Sequence, residues 1–386
     1  MHADPSPGVD PNGLREYSVV FTDRALNHMS QRFQQVMRDL SAQLKTAYHA
    51  HAVALVPGGG TAGMESVARQ FGHDKNVLII RNGWFSYRWS QIFETCGISA
   101  RTTVLKARPG HRAHQAPFVP PPLDEVIASI VEGKPELVFA AHVETSSGML
   151  LPDDYLQAVA SAVHEHGGLF VLDCIASGAL WVDMPRIGVD VLLSAPQKTW
   201  SSTPCAAMVM LSPSAEARLK TTQSSSFTLD LAKWRAVMAA YENGGFAYHS
   251  TMPTDALAQL RDAMVETIAM GLEQARAAQG ELGRKVRALL ARHDFPSVAA
   301  AGFQAPGVVV SYTDSDAIHS GRAFAAQGLQ IAAGTPLACD EPADFKTFRL
   351  GLFGLDKLRD VDGTVQRLEE ALARILAGEG SRDGAG

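Results

Sequence analysis

Val191-Leu-Leu-Ser-Ala-Pro-Gln-Lys198-Thr-Trp200 sets the reading of the whole chain. The run Val191, Leu192, Leu193 reads as a buried strand, and a lysine that packing does not require follows it. Open α/β sheets place their chemistry just beyond the carboxyl ends of the strands, which is where Lys198 falls. Upstream, a second apolar run, Gly168-Leu-Phe-Val-Leu-Asp173, ends in an aspartate. An acid and an amine therefore stand at the ends of what read as neighbouring strands.

Outward from this pair the chain alternates between short apolar runs and longer amphipathic stretches. Strands are predicted over 52–56, 76–80, 100–105, 137–141, 169–172, 189–193 and 206–211, with helices between them at 63–70, 84–95, 124–131 and 154–165. Strand, helix, strand repeated in this way predicts an α/β fold with a mostly parallel seven-stranded sheet and helices on both faces. An early helix over 27–48 precedes it, free to return beside a second domain. After Ser250 the pattern changes to a long helical run over 254–279 continuing to 292, a strand at 307–312 and a closing helix at 363–376, which reads as a smaller C-terminal α+β domain. The expected division is an N-terminal segment (1–25) contributing to the active site, a large domain (26–255) and a small domain (256–386). The opening dozen residues are expected to be mobile, and the polar, glycine-rich 378–386 to be frayed.

With 386 residues, the chain is long enough for a large core. Apolar residues at 46% and charged residues at 19% are those of a folded protein. A net charge of −6 leaves no basic excess for nucleic-acid phosphates. Cys96, Cys174, Cys205 and Cys339 are far apart and read as free thiols of a reducing compartment. No signal-like opening and no apolar span of membrane length is visible, so a cytoplasmic protein without membrane contact is expected. The histidine pairs His49/His51, His111/His114 and His164/His166 fit no ligand spacing, and no metal is assigned.

The chemistry rests on three segments. Pro57-Gly58-Gly59-Gly60-Thr61-Ala62-Gly63 follows a strand and opens a helix, so its amides and the Thr61 hydroxyl can cradle a phosphate. Alone, such a loop is equally a plain turn, and it lacks the patterns of the nucleotide and dinucleotide loops. Asp173 alone reads as a cap and Lys198 alone as a solvated lysine. Together with a phosphate loop, they are what pyridoxal 5'-phosphate requires: an amine to condense with its aldehyde and an acid to keep its ring nitrogen protonated. The same lysine could then carry the α-proton of an amine substrate.

With these segments in hand, the chain resembles the class V aminotransferases of the fold-type I pyridoxal phosphate enzymes, and among them the alanine–glyoxylate, serine–pyruvate and 2-aminoethylphosphonate–pyruvate transaminases. The resemblance covers nearly the whole chain. It is carried by the glycine loop, Asn82-Gly-Trp-Phe-Ser-Tyr-Arg88, His142-Val-Glu-Thr-Ser-Ser-Gly148, Asp173-Cys-Ile-Ala-Ser-Gly178, Ser194-Ala-Pro-Gln-Lys198, Tyr248-His-Ser-Thr251 and Phe348-Arg-Leu-Gly-Leu-Phe-Gly354. It implies that Gly59, Gly60, Thr61 and Gln197 hold the cofactor phosphate, that Phe85 stacks on its ring and that Thr145 lies near its phenolic oxygen. Asp173 would serve the ring nitrogen, and Arg349 the substrate carboxylate. It further implies a homodimer in which Tyr248 and Thr251 reach the phosphate of the other subunit.

The chain departs from the family at its opening. Val20-Phe-Thr-Asp-Arg-Ala-Leu-Asn27 stands where a Pro-Gly-Pro segment is usual, so Arg24 and Asn27 become candidate substrate contacts, although Arg24 reads equally as a surface residue. The expected activity is ping-pong transfer of an amino group from a small amino acid (alanine, serine or aspartate) to glyoxylate or pyruvate. A lyase or desulfurase on the same scaffold is the first alternative, with Cys339 the cysteine nearest a plausible site loop. A non-catalytic homologue that keeps the cofactor is the second.

Overall fold

The computed structural model describes residues 14–383; the expectation for the opening dozen falls outside them. Seven strands form the main sheet: β1 Ala52–Pro57, β2 Asn76–Arg81, β3 Arg101–Lys106, β4 Leu137–Ala141, β5 Leu169–Asp173, β6 Val191–Ser194 and β7 Ala206–Leu211. Their spatial order is β1-β7-β6-β5-β4-β2-β3. All neighbours are parallel except β7, which runs antiparallel to both β1 and β6. Helices cover both faces, so β5 and β6 are buried along their whole length. That is why they read as unbroken apolar runs rather than as alternating ones.

The early helix α1 spans Gln31–Tyr48, starting later than the apolar pattern suggests because Ser30 caps it, its hydroxyl accepting from Phe33 N at 3.2 Å. Its buried face (Phe33, Val36, Met37, Leu40, Leu44) packs on the helices Leu231–Glu242 and Thr254–Met270 and on the β1 edge of the sheet. The long helical run expected from 254 is two helices, Thr254–Met270 and Leu272–Ala291. Gly271 separates them at φ 92°, a value that suits glycine and breaks the helix. The C-terminal region adds a three-stranded antiparallel sheet in which Thr347–Gly351 lies between Val308–Tyr312 and Ala332–Ala333. The closing helix, Val361–Asp383, runs well into the stretch expected to fray. Among the described residues, no helix is long and apolar enough to cross a membrane.

Register fixes where the chemistry can sit. In the parallel pair β5/β6, Asp173 is opposite Leu193, and in β4/β5 it is opposite Ala141. The helices α2 (Gly60–Phe71) and α3 (Trp84–Cys96) begin just after β1 and β2, so their N-termini open at the same carboxyl edge of the sheet as Asp173.

Candidate active site

Lys198 sits on a single helical turn, Pro196–Thr199, that follows β6. Pro196 at its first position pre-sets the helical φ, and the Trp200 amide closes the turn on the Pro196 carbonyl at 3.3 Å. Trp200 is fully buried, its ring 4.8 Å from that of Trp181 and 6.4 Å from that of Tyr48. The turn is thereby pinned to the core from below while Lys198 points out of it.

Asp173 ends β5 almost fully buried, with one carboxylate oxygen accepting the Ile175 amide at 2.9 Å. Burial pushes its carboxyl up to about 6, against the Ile175 hydrogen bond and the attraction of Lys198, which hold it down. Burial likewise lowers the Lys198 amine; Asp173 and Glu144 oppose that shift, while Arg88 and Arg349 reinforce it. Both groups are thus moved towards neutral pH, as acid–base work at the sheet edge demands.

The Phe85 ring, at the start of α3, is the hub of the site. Lys198 Nζ stands 5.5 Å from its centroid, Arg88 Cζ 5.2 Å and Arg349 Cζ 5.7 Å. Three cations gather around one aromatic ring, with the buried acids Asp173 and Glu144 facing them, an arrangement suited to an anionic ligand. Arg349 lies on the strand Thr347–Gly351 and donates through Nε to the Ala333 carbonyl at 2.8 Å; among the described residues its terminal nitrogens have no other recorded partner. Arg88 donates to the Thr61 hydroxyl at 3.0 Å, tying α3 to the glycine loop.

That loop is built for close approach. A Cβ on Gly60 would come within 2.5 Å of Ile175 Cδ1, so only glycine lets the loop lie against the Asp173 turn, whereas a Cβ on Gly59 would meet nothing within 4 Å. No side chain caps α2, whose first amides remain available to a phosphate. Thr145 is buried with an unpartnered hydroxyl, a polar atom that lacks only a ligand oxygen. Uncapped amides, orphan hydroxyl, stacking ring, lysine and buried acid together fit pyridoxal phosphate.

The other expected residues stand in different settings. Gln197 is exposed beside Lys198. Tyr248 (51% exposed) and Thr251 share a hydrogen bond of 3.1 Å, and the Tyr248 ring is 5.4 Å from that of His28. Arg24 is exposed in the opening segment. Asn27 is buried, its amide donating to Glu16 at 2.7 Å and its carbonyl oxygen accepting from Met29 N at 2.8 Å, so a substrate would compete with those bonds. Cys339 is buried, its thiol pushed up to about 12 chiefly by burial and its sulfur against the Arg81 carbonyl.

Two residues of the site escaped the sequence reading. Arg88 looked like the end of a motif, and Glu144 like part of one. No local signal marks Glu144, which stands three residues beyond the end of β4 in a segment whose pattern gives a charge no role.

Comparison with known proteins agrees with this geometry. The family model described as aminotransferase class-V matches residues 14–361. The chain is 26% identical to the soluble hydrogenase small subunit of Synechococcus sp., over 91% of this chain and 88% of that protein. It is also 26% identical to the alanine–glyoxylate aminotransferase of Callithrix jacchus, over 90% of this chain and 82% of that one. Among solved structures, an aspartate aminotransferase of Thermus thermophilus superposes with a TM-score of 0.74, covering 91% of this chain and 93% of its own, at 24% identity, a likeness of fold. The chain belongs to the class V aminotransferase family, pyridoxal-phosphate-dependent enzymes of fold type I.

Proposed function

We propose that this aminotransferase moves the amino group of a small amino acid (alanine, serine or aspartate) to glyoxylate or pyruvate in two half-reactions that share one site. The observation that carries the reading is the convergence of Lys198, Arg349 and Arg88 on the Phe85 ring beside buried Asp173. When bound, pyridoxal phosphate supplies an aldehyde that takes up the amino group and a cationic ring that draws electrons from the substrate α-carbon. Lys198, its basicity lowered by burial, removes and returns the α-proton. Asp173 supplies the negative charge for the ring nitrogen. Arg349 offers two parallel donors to the α-carboxylate and so orients the α-carbon. The amides of Gly59, Gly60 and Thr61 would hold the phosphate, with Gln197 beside them, while Phe85 would stack on the ring and Thr145 would serve its phenolic oxygen.

Tyr248 and Thr251 are assigned to the site of a second copy. Their exposure, next to exposed Phe227 and Phe246, supports a partner surface there. Arg24 and Asn27 would border the pocket from the opening segment. The burial of Cys339 speaks against a desulfurase, which needs a mobile, reactive thiol.

The test is an absorption spectrum of the protein loaded with pyridoxal phosphate, before and after L-alanine, L-serine and L-aspartate in turn. Loss of the visible band with one donor and its return with glyoxylate or pyruvate is the expected result. A band that no donor changes would refute transamination of small amino acids.

A further inference from the structure

Five hydrogen bonds converge on the fully buried carboxylate of Glu144. One oxygen accepts from Phe85 N at 3.2 Å, Ser146 N at 3.1 Å and the Ser146 hydroxyl at 2.7 Å. The other accepts from Ser86 N at 2.8 Å and the Ser86 hydroxyl at 2.7 Å. The amides before these are taken too: Trp84 N donates to the Ser146 hydroxyl at 2.8 Å, and the Asn82 and Gly83 amides to the Ser86 hydroxyl at 2.9 and 3.1 Å. Gly83 is obligatory, because a Cβ there would reach the Ser146 hydroxyl at 2.1 Å and Glu144 Cγ at 2.7 Å. The N-terminus of α3 is therefore closed by the protein's own carboxylate, whereas that of α2 is uncapped. Two motifs far apart in sequence dock through this one side chain, which grips the backbone amides of Phe85 and Ser86.

We propose that Glu144 is a positioning residue with two tasks: it fixes the Phe85 ring by capping α3, and its negative charge offsets the cations gathered on that ring. The groups facing Lys198 are Asp173 and Glu144, which favour its protonated form, and Arg88 and Arg349, which oppose it. Glu144 is also the acid that acts on Arg349 and, with Lys198 and Arg88, on Asp173. A neutral amide cannot do either task, since it has one acceptor oxygen and would set its own N–H groups against donors.

The inference rests on pyridoxal phosphate binding at Lys198, and the experiment separates the two. Wild type, Glu144→Gln and Glu144→Asp are titrated with pyridoxal phosphate, and the pH midpoint of the visible band is recorded for each. Glu144→Gln should bind about tenfold more weakly or worse and move the midpoint to lower pH. Glu144→Asp keeps the charge but shortens the reach, so it should lose affinity with the midpoint held near wild type. Should Glu144→Gln fail to fold, Ser146→Ala, which removes a donor and leaves the charge, must weaken binding without moving the midpoint. Wild-type affinity and midpoint in Glu144→Gln, or wild-type affinity in both Glu144→Asp and Ser146→Ala, overturn the proposal. Absence of any visible band in the wild type would overturn the Lys198 assignment and this role with it.

Discussion

Asp173→Asn should stabilise the cofactor-free protein while disabling the loaded one. Burial raises the Asp173 carboxyl from its usual 3.8 to about 6, which corresponds to about 3 kcal/mol of lost stability once the group is ionised. The sign follows from the direction. A carboxyl whose folded value exceeds its unfolded value costs nothing while both states are protonated, below pH 3.8. The cost grows between there and pH 6 and is constant above. Asparagine can keep the Ile175 hydrogen bond through its carbonyl oxygen and carries no charge to bury. The cofactor-free variant should therefore gain about 3 kcal/mol at pH 8 and about half of that at pH 5, where the wild-type carboxyl is mostly protonated in the folded state. Parallel thermal melts at the two pH values would show this as a Tm roughly 4 °C above wild type at pH 8 and about 2 °C at pH 5. With pyridoxal phosphate present the order should invert, because the negative charge that serves the ring nitrogen is gone. A variant less stable than wild type at pH 8 without cofactor, or a gain that does not change with pH, would refute the account of Asp173 as a buried acid under strain of desolvation.

The remaining predictions concern the same ring of residues. Lys198→Ala should retain the fold but show no visible absorption band that survives gel filtration with pyridoxal phosphate, and its transaminase rate should fall by at least about 10⁴-fold; a wild-type spectrum would reassign the lysine. Arg349→Lys keeps the charge but loses the paired donors, so kcat/KM for the amino donor should drop about 10- to 100-fold, with KM carrying most of it. An unchanged KM would place the carboxylate elsewhere, with Arg88 the next guanidinium to test. Cys339→Ala should leave transamination within about twofold of wild type, and Cys339 should resist alkylation in the native protein, because its thiol is buried and raised to about 12. Rapid alkylation with loss of activity would revive the desulfurase reading.

The large sheet was legible because its strands are buried on both faces and so announce themselves as apolar runs: β4 and β7 lie where the sequence puts them, and Lys198 falls beyond β6 as its pattern requires. The helix Leu231–Glu242 was not singled out, although Leu231, Trp234, Val237 and Met238 give it a buried stripe, since the surrounding residues carry little contrast in polarity. The order of the strands and the reversal at β7 depend on pairings between segments distant in sequence, which no local window contains. The site divides along the same line. Asp173 and Lys198 could be found because one ends an apolar strand and the other closely follows one, and Arg349 through the family resemblance. Arg88 and Glu144 could not, because nothing local marks their work. Arg88 matters through the Phe85 ring and a hydroxyl on α2; Glu144 matters because five donors, from α3 and from its own turn, meet on it. A residue that makes chemistry shows in its own sequence neighbourhood, whereas one that holds chemistry in place shows only when the chain has folded around it.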